Sequence, residues 1–254
     1  MNTIQTSIQD KIAIITLNRP KSNAINAEMV HELQKMVQII EQDKQSAGLI
    51  ITGQERFFSA GIDLIELYDY NETEIRDFWV SFLKLTATLV SFKKPMVAAI
   101  NGHSPAGGCI IALCADYRVM AEGDFIIGLN EIPIGIIVPE NIFSLYAYWI
   151  GKAAAHRNLL SGKLLTVQEA LQCHLVDEVV KPGAVLQAAT RQLKKYLEFS
   201  WAAWQQTKLN MRKELTDQFS ADPDEILEPI LKQWWSPNTR AILETVIRNL
   251  KGSK

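Results

Sequence analysis

Two β-rich runs open the chain, residues 3–8 and 12–17, with polar Gln9-Asp10-Lys11 between them, a pattern that predicts a hairpin. A stripe of Met29, Val30, Leu33, Val37 and Ile40 then repeats at helical spacing behind Asn26, which has the chemistry of an N-cap. Residues 49–52 form a short continuous apolar run ended by Gly53, the signature of a buried strand. The segment 72–92 predicts a long helix with Phe78, Phe82, Leu85 and Leu89 on one face. Pro95 stops it, and residues 96–100 are a second continuous apolar strand. Strands alternating with helices predict an α/β fold.

The pattern changes after residue 140. Segments 141–150 and 152–160 predict helices, Thr166 with Glu169 predicts a capping box, and 176–180 predicts a strand. From Pro182 onward the periodicity is almost wholly helical. Asp222-Pro223-Asp224-Glu225 supplies an N-cap, a proline at the first helical position and a glutamate at the third, and Ser236-Pro237 repeats the cap and proline. Four tryptophans (Trp201, Trp204, Trp234, Trp235) lie in this tail. Trp201, Trp204 and Met211 share a helical face, which predicts apolar surface to be covered by the body of the protein and by another subunit.

Composition narrows the classes. The chain has 254 residues, 48% hydrophobic and 21% charged, with a formal net charge of −2, so it is a folded protein without the electrostatic footprint of a nucleic-acid binder. No apolar run is long enough to span a membrane, and the polar opening residues carry no apolar signal region; the expectation is a cytoplasmic protein. Cys109, Cys114 and Cys173 form an odd set without metal-ligand spacing, and read as free thiols in a reducing compartment. Of thirteen glycines, nine lie from Gly48 to Gly135, so unusual backbone conformations concentrate in the first half.

Two of the glycine-bearing loops follow strands. One is Phe57-Phe58-Ser59-Ala60-Gly61-Ile62-Asp63-Leu64. The other runs from Asn101-Gly102-His103-Ser104 to Pro105-Ala106-Gly107-Gly108-Cys109 and leads into an apolar segment, 109–115, suited to a buried helix. The first N–H groups of such a helix lack intrahelical acceptors, and glycine lets an oxygen approach them. Facing each other, two such loops make an oxyanion hole from backbone donors; taken singly, such a turn before a helix is more often just a tight connection. Neither is a phosphate motif. Glu131 is the sole charged residue between Asp124 and Glu140, set among Ile126, Ile127, Leu129, Ile132, Ile134, Ile136 and Ile137. Buried there, its pKa rises toward the range of a proton shuttle; on an exposed loop it does nothing special.

Asn18-Arg19-Pro20, Phe58-Ser59-Ala60-Gly61-Ile62-Asp63-Leu64, Asn101-Gly102 through Gly107-Gly108-Cys109, and Asp116-Tyr117-Arg118 occur in that order. With this spacing the chain resembles the enoyl-CoA hydratase/isomerase (crotonase) superfamily over residues 5–185. Residues 104–109 and 127–131 most resemble its Δ3,Δ2-enoyl-CoA isomerase branch. The resemblance implies a spiral of ββα units (1–195) followed by a helical C-terminal region (196–254) used in assembly, as a homotrimer or dimer of trimers. It implies that the N–H groups of Ile62 and Gly107 hold the thioester oxygen of an acyl-CoA, and that Glu131 is the acid/base. Ala60, Gly61, Asp63, Leu64 and Gly108 would line the acyl-CoA site, with Lys21 near the nucleotide. The hydratases of the family use a second glutamate three residues after the second oxyanion glycine; that place holds Ile110. With one carboxylate left, a proton shift that moves a double bond is favoured over addition of water, and it requires no metal or redox cofactor.

Other roles stay open. Glu140 reads as a second carboxylate or a helix N-terminal charge, Asp63 as an acid or a local cap, and His103 as a site residue or a bystander. Phe78, Trp79 and Phe82 read as an acyl pocket or as helix packing. Hydration, thioester hydrolysis and non-catalytic acyl-CoA binding are the rival functions.

Overall fold

The computed structural model describes residues 1–252; Ser253 and Lys254, the end of the expected tail, lie outside the described residues. The strands are β1 (Ile4–Gln9), β2 (Ile12–Leu17), β3 (Gly48–Thr52), β4 (Arg56–Phe57), β5 (Met96–Ile100), β6 (Gly102–Pro105), β7 (Tyr117–Ala121), β8 (Ile126–Gly128), β9 (Leu165–Thr166) and β10 (Glu178–Val180). The helices are α1 (Ala27–Gln42), α2 (Leu64–Leu67), α3 (Glu72–Val90), α4 (Gly107–Leu113), α5 (Glu140–Ile150), α6 (Lys152–Ser161), α7 (Val167–Gln172), α8 (Val185–Leu197), α9 (Trp201–Met211), α10 (Lys213–Gln218), α11 (Pro223–Trp234) and α12 (Pro237–Gly252).

A six-stranded sheet has the order β1-β2-β3-β5-β7-β10, parallel except for the β1–β2 hairpin. A four-stranded sheet has the order β4-β6-β8-β9. Three times in succession the chain gives one strand to the large sheet and the next to the small one: β3 then β4, β5 then β6, β7 then β8. This is the expected α/β spiral with a helical C-terminal region.

β5, in the middle of the large sheet, is apolar at every position because the sheet is covered on both faces. Ile50, Val97, Ala99, Val119 and Ala121 meet Val185, Ala188, Ala189 and Leu193 of α8. Alternate residues, Leu49, Ile51, Met96, Ala98 and Ile100, point into the main core with α1 and α3. The tail joins this core through Leu227, Ile230, Trp234, Leu243 and Ile247.

Sequence boundaries shift slightly. The expected 72–92 helix ends at Val90, and the expected 176–180 strand begins at Glu178. The shared Trp201, Trp204 and Met211 face is covered only in part within the chain: Trp204 is half-buried against Tyr196, whereas Trp201 and Met211, with Phe199 nearby, stay exposed.

The Asp116-Tyr117-Arg118 segment ties the layers together. Asp116 accepts from Met96 N and from Lys208 Nζ, both at 2.8 Å, and pairs with Arg212 at 3.0 Å. Burial pulls the Lys208 pKa down to about 8. Arg118 is fully buried, donating to Leu175 O, Ala115 O and Asp177, with its guanidinium 3.7 Å over the Trp149 ring. Replacing it takes a donor from two backbone carbonyls and one carboxylate. Arg118→Met is expected to lower stability by about 3 kcal/mol, read as a fall in the urea midpoint without a change in slope.

Candidate active site

The first loop is fixed by hydrogen bonds that leave one donor over. Ser59 Oγ donates to Asn23 O at 2.7 Å and accepts from Gly61 N at 3.1 Å, and Ala60 N donates to Ser22 O. Asp63 N is taken by Ile25 O, and Ile25 N donates to Gly61 O. Among the described residues, Ile62 N has no acceptor. The Asn18-Arg19-Pro20 segment braces this loop from outside. Arg19 bonds Asp63 at 2.6 Å and Glu66 at 2.9 Å, and Asp63 caps α2 by accepting from the N–H groups of Ile65 and Glu66. Asp63 is thus a local cap and ion-pair partner, and it does not line the pocket.

The second loop repeats the arrangement. Ala106 N donates to Gly128 O at 2.8 Å, while Gly107 N, the next donor, has no acceptor among the described residues. Ala106 holds φ +49° and ψ −123°, a conformation that glycine favours and that costs an alanine about 1–3 kcal/mol. The two loops touch. A Cβ placed on Gly61 would lie 3.3 Å from Gly107 N, and one on Gly107 would lie 3.5 Å from Ile62 N. The two free donors therefore sit side by side. Gly108 is required for a different reason: a Cβ there would meet Ser59 O at 2.7 Å.

Both donors border one pocket. Its lining combines Ile62, Ala106, Gly107 and Ile110 with Glu131, the segment Ile136, Ile137, Val138 and Pro139, Trp79 and Phe82 of α3, and Leu227 and Ile230 of α11. Its volume is about 40 Å³. Glu131 is 9% exposed, and its Oε2 has no hydrogen-bond partner among the described residues. Burial among isoleucines raises its pKa to about 7, offset only in part by its own backbone N–H. Its backbone is held by a tight turn in which Ile134 N and Ile136 N both donate to Glu131 O.

The other candidates lie elsewhere. Glu140 is exposed in the first turn of α5 and does not line this pocket. His103 packs between Phe57 and Phe125, accepts from Ile126 N at Nδ1, and has its pKa lowered first by burial. Lys21 is exposed in a turn. Ala60, Gly61, Leu64 and Gly108 shape the loops behind the lining. Of the aromatic stripe, Trp79 and Phe82 face the pocket and Phe78 is core. Leu227 and Ile230 were not anticipated, since an amphipathic stripe in the tail does not say what it covers.

Two facing backbone donors beside a buried carboxylate, on a spiral of ββα units, are the arrangement that the crotonase resemblance implies. The enoyl-CoA hydratase/isomerase family model matches residues 7–225, and the chain belongs to that family. It is 37% identical over 216 residues to mitochondrial enoyl-CoA delta isomerase 1 of Mus musculus, covering 84% of this chain and 75% of that one. It is 31% identical over 191 residues to a short-chain-enoyl-CoA hydratase of Clostridium acetobutylicum, covering 74% and 73%. The crystal structure of human mitochondrial delta3-delta2-enoyl-CoA isomerase superposes with a TM-score of 0.96 over 99% of both chains, at 30% identity. Among the described residues no helix is long and apolar enough to cross a membrane. The mouse and human relatives are mitochondrial by name, so they lend the cytoplasmic expectation nothing.

Burying Glu131 has a measurable cost. The folded state keeps the proton up to about pH 7, whereas the unfolded chain releases it near its ordinary value of 4.5. Stability therefore falls as pH rises through that window and levels off above it. Glu131→Gln removes the titration. The variant is expected to match the wild type near pH 4 and to exceed it at pH 8 by up to about 3 kcal/mol, read from urea midpoints. Parallel pH curves for the two proteins would contradict the burial argument.

Proposed function

We propose that the protein is a Δ3,Δ2-enoyl-CoA isomerase that moves the double bond of a 3-enoyl-CoA into conjugation as the 2-trans-enoyl-CoA. The observation that carries this is the count of acid/base groups in the pocket: among the described residues Glu131 is its one carboxylate, and Ile110 stands where the resemblance puts the second that hydration uses. In the ionised form Glu131 takes a proton from C2. The electron pair delocalises through the thioester carbonyl and the C3–C4 double bond as a dienolate, whose oxygen is held by the N–H groups of Ile62 and Gly107. Glu131 then returns the proton at C4. No bond to water forms, so substrate and product have equal mass.

The magnitudes suffice. Removing one oxyanion donor costs about 3–4 kcal/mol in comparable enzymes, and a positioned base contributes ~10²–10⁴ in rate. Two donors and one base reach roughly 9–13 kcal/mol, inside the usual catalytic span of about 8–23. The apolar wall strengthens both effects by excluding water. The shift needs no metal or redox cofactor; coenzyme A arrives as part of the substrate. A homotrimer or dimer of trimers is supported by the family and by the uncovered Phe199, Trp201 and Met211.

Incubation with 3-enoyl-CoA and, separately, with 2-enoyl-CoA, followed by mass analysis, tests the reading. The expected result is an isomer of unchanged mass from the first; a protein that only adds water to the second would refute it. Glu131→Gln is expected to lower kcat by ~10²–10⁴ while acyl-CoA still binds, which also separates an enzyme from an acyl-CoA carrier. For the wild type, kcat/KM should climb as pH rises through about 7, where Glu131 ionises. Ile110→Glu restores a second carboxylate, and hydration by the folded variant would show that residue 110 decides the reaction.

A further inference from the structure

We propose that this pocket is a length gauge, that its substrates are short-chain acyl thioesters, and that Trp79 of α3 and Leu227 of α11 set the limit. The inference rests on the reading above that an acyl-CoA enters here, and it adds which acyl chains do. A water-sized group needs roughly 10–15 Å³ of cavity volume. The cavity of about 40 Å³ is far smaller than the roughly 300–1,000 Å³ of a pocket that encloses a drug-sized ligand, so it has no space for a long acyl chain. The reacting carbons beside Ile62, Gly107 and Glu131 take up that space. Carbons further along the chain must lie against the rest of the lining, in which Trp79, Phe82 and Leu83 of α3 and Leu227 and Ile230 of α11 face the 134–142 segment.

That wall is braced from behind. The Trp79 ring meets Trp234 edge-on, with centroids 6.4 Å apart at 78°, and meets Phe82 at 6.2 Å and 84°. Trp234 and Leu227 are fully buried in the core that α3 and α11 share. An ion pair between Arg76 and Asp224 ties the two helices at the surface. Interiors packed in this way yield little to one extra methylene, so a longer chain must displace core side chains. Ile136, Ile137 and Val138 line this pocket on one side and, on the other, a groove that also carries Phe143, Leu159 and Leu160. Easy passage there is the outcome that defeats the proposal.

The test has two arms. Calorimetry measures binding of butanoyl-, hexanoyl-, octanoyl- and dodecanoyl-CoA, and turnover is measured on 3-enoyl-CoA thioesters from six to twelve carbons. For the wild type, affinity and kcat/KM should both fall at least tenfold between the hexyl and dodecyl members. Trp79→Ala should raise the dodecyl-to-hexyl ratio at least tenfold. Because that variant removes a core ring, Leu227→Ala and Trp79→Phe serve as milder enlargements and should shift the ratio in the same direction. Equal wild-type handling of both lengths, or unchanged ratios in all folded variants, would overturn the gauge. Length-selective binding without turnover of any 3-enoyl thioester would remove the isomerase reading and leave the gauge standing. If no acyl-CoA binds, both fall.

Discussion

An ionisable carboxylate with one oxygen free of any partner, closed inside an apolar wall, is the constraint on which the rest of the structure depends. A buried polar group without a hydrogen bond is costly, and a flexible chain would relieve the cost by turning Glu131 out to water. The turn that carries it is itself apolar, with Ile132 and Ile137 partly exposed, so its own packing does little to hold it. What holds it are two close approaches. Pro133 packs so tightly on Gly162 that a Cβ there would lie 2.2 Å from its ring, and Gly135, at φ +79°, seats on Thr239 of α12. Thr239 Oγ1 is 3.4 Å from Gly135 O and also accepts from Gln233 and Ser236. The carboxylate stays inside because both ends of its turn are clamped.

The same logic governs the two backbone donors. In each loop the neighbouring N–H groups are consumed by specific acceptors, Ser59 Oγ and Ile25 O in the first and Gly128 O in the second, so the remaining N–H is oriented and left unpaired. The strain at Ala106 belongs to this arrangement, since it turns the following peptide so that Gly107 N borders the pocket. Asp63, which reads in sequence as an acid or a local cap, is spent together with Arg19 on holding the loop. Three groups without partners among the described residues border one small apolar space, the preorganised arrangement that the proposed oxyanion stabilisation requires.

Much of this was legible in the sequence, and the parts that were not share a cause. Continuous apolar runs announce strands buried on both faces, as in 96–100. Side-chain caps announce helix starts, and Asn26, Thr166 and Asp222 all accept the expected backbone N–H. The small sheet escaped because β4 and β9 are two residues long and β8 is three, too short for any period. The carboxylate's environment was legible because its isoleucines are its sequence neighbours. Trp79 and Phe82 remained ambiguous, and Leu227 and Ile230 invisible, because an amphipathic stripe reports burial without naming the surface that buries it. Glycine spacing marked the loops, but which glycines face the pocket and which, like Gly108, make room for a neighbour depends on contacts between distant segments.

Those distant contacts change what the helical tail is for. Arg212, at the junction of α9 and α10, donates to Cys114 O and Ala115 O just beyond α4, the helix that starts at Gly107; Trp149 takes Leu113 O, and Arg118 shares Ala115 O. Leu227 and Ile230 of α11 complete the pocket wall. Thr239 of α12 seats the Glu131 turn, and the next residue, Arg240, donates to Tyr68 O and stacks 3.5 Å over its ring at the end of α2, the helix that follows Ile62. Each part of the site is therefore touched by a different stretch of the tail. Glycines concentrate up to residue 135 because backbone segments approach closely there, as at Gly53, Gly102 and Gly108. The tail has few because its part is to press rigid side chains against those loops, and a site made of unpaired groups holds its shape only while something outside it does so.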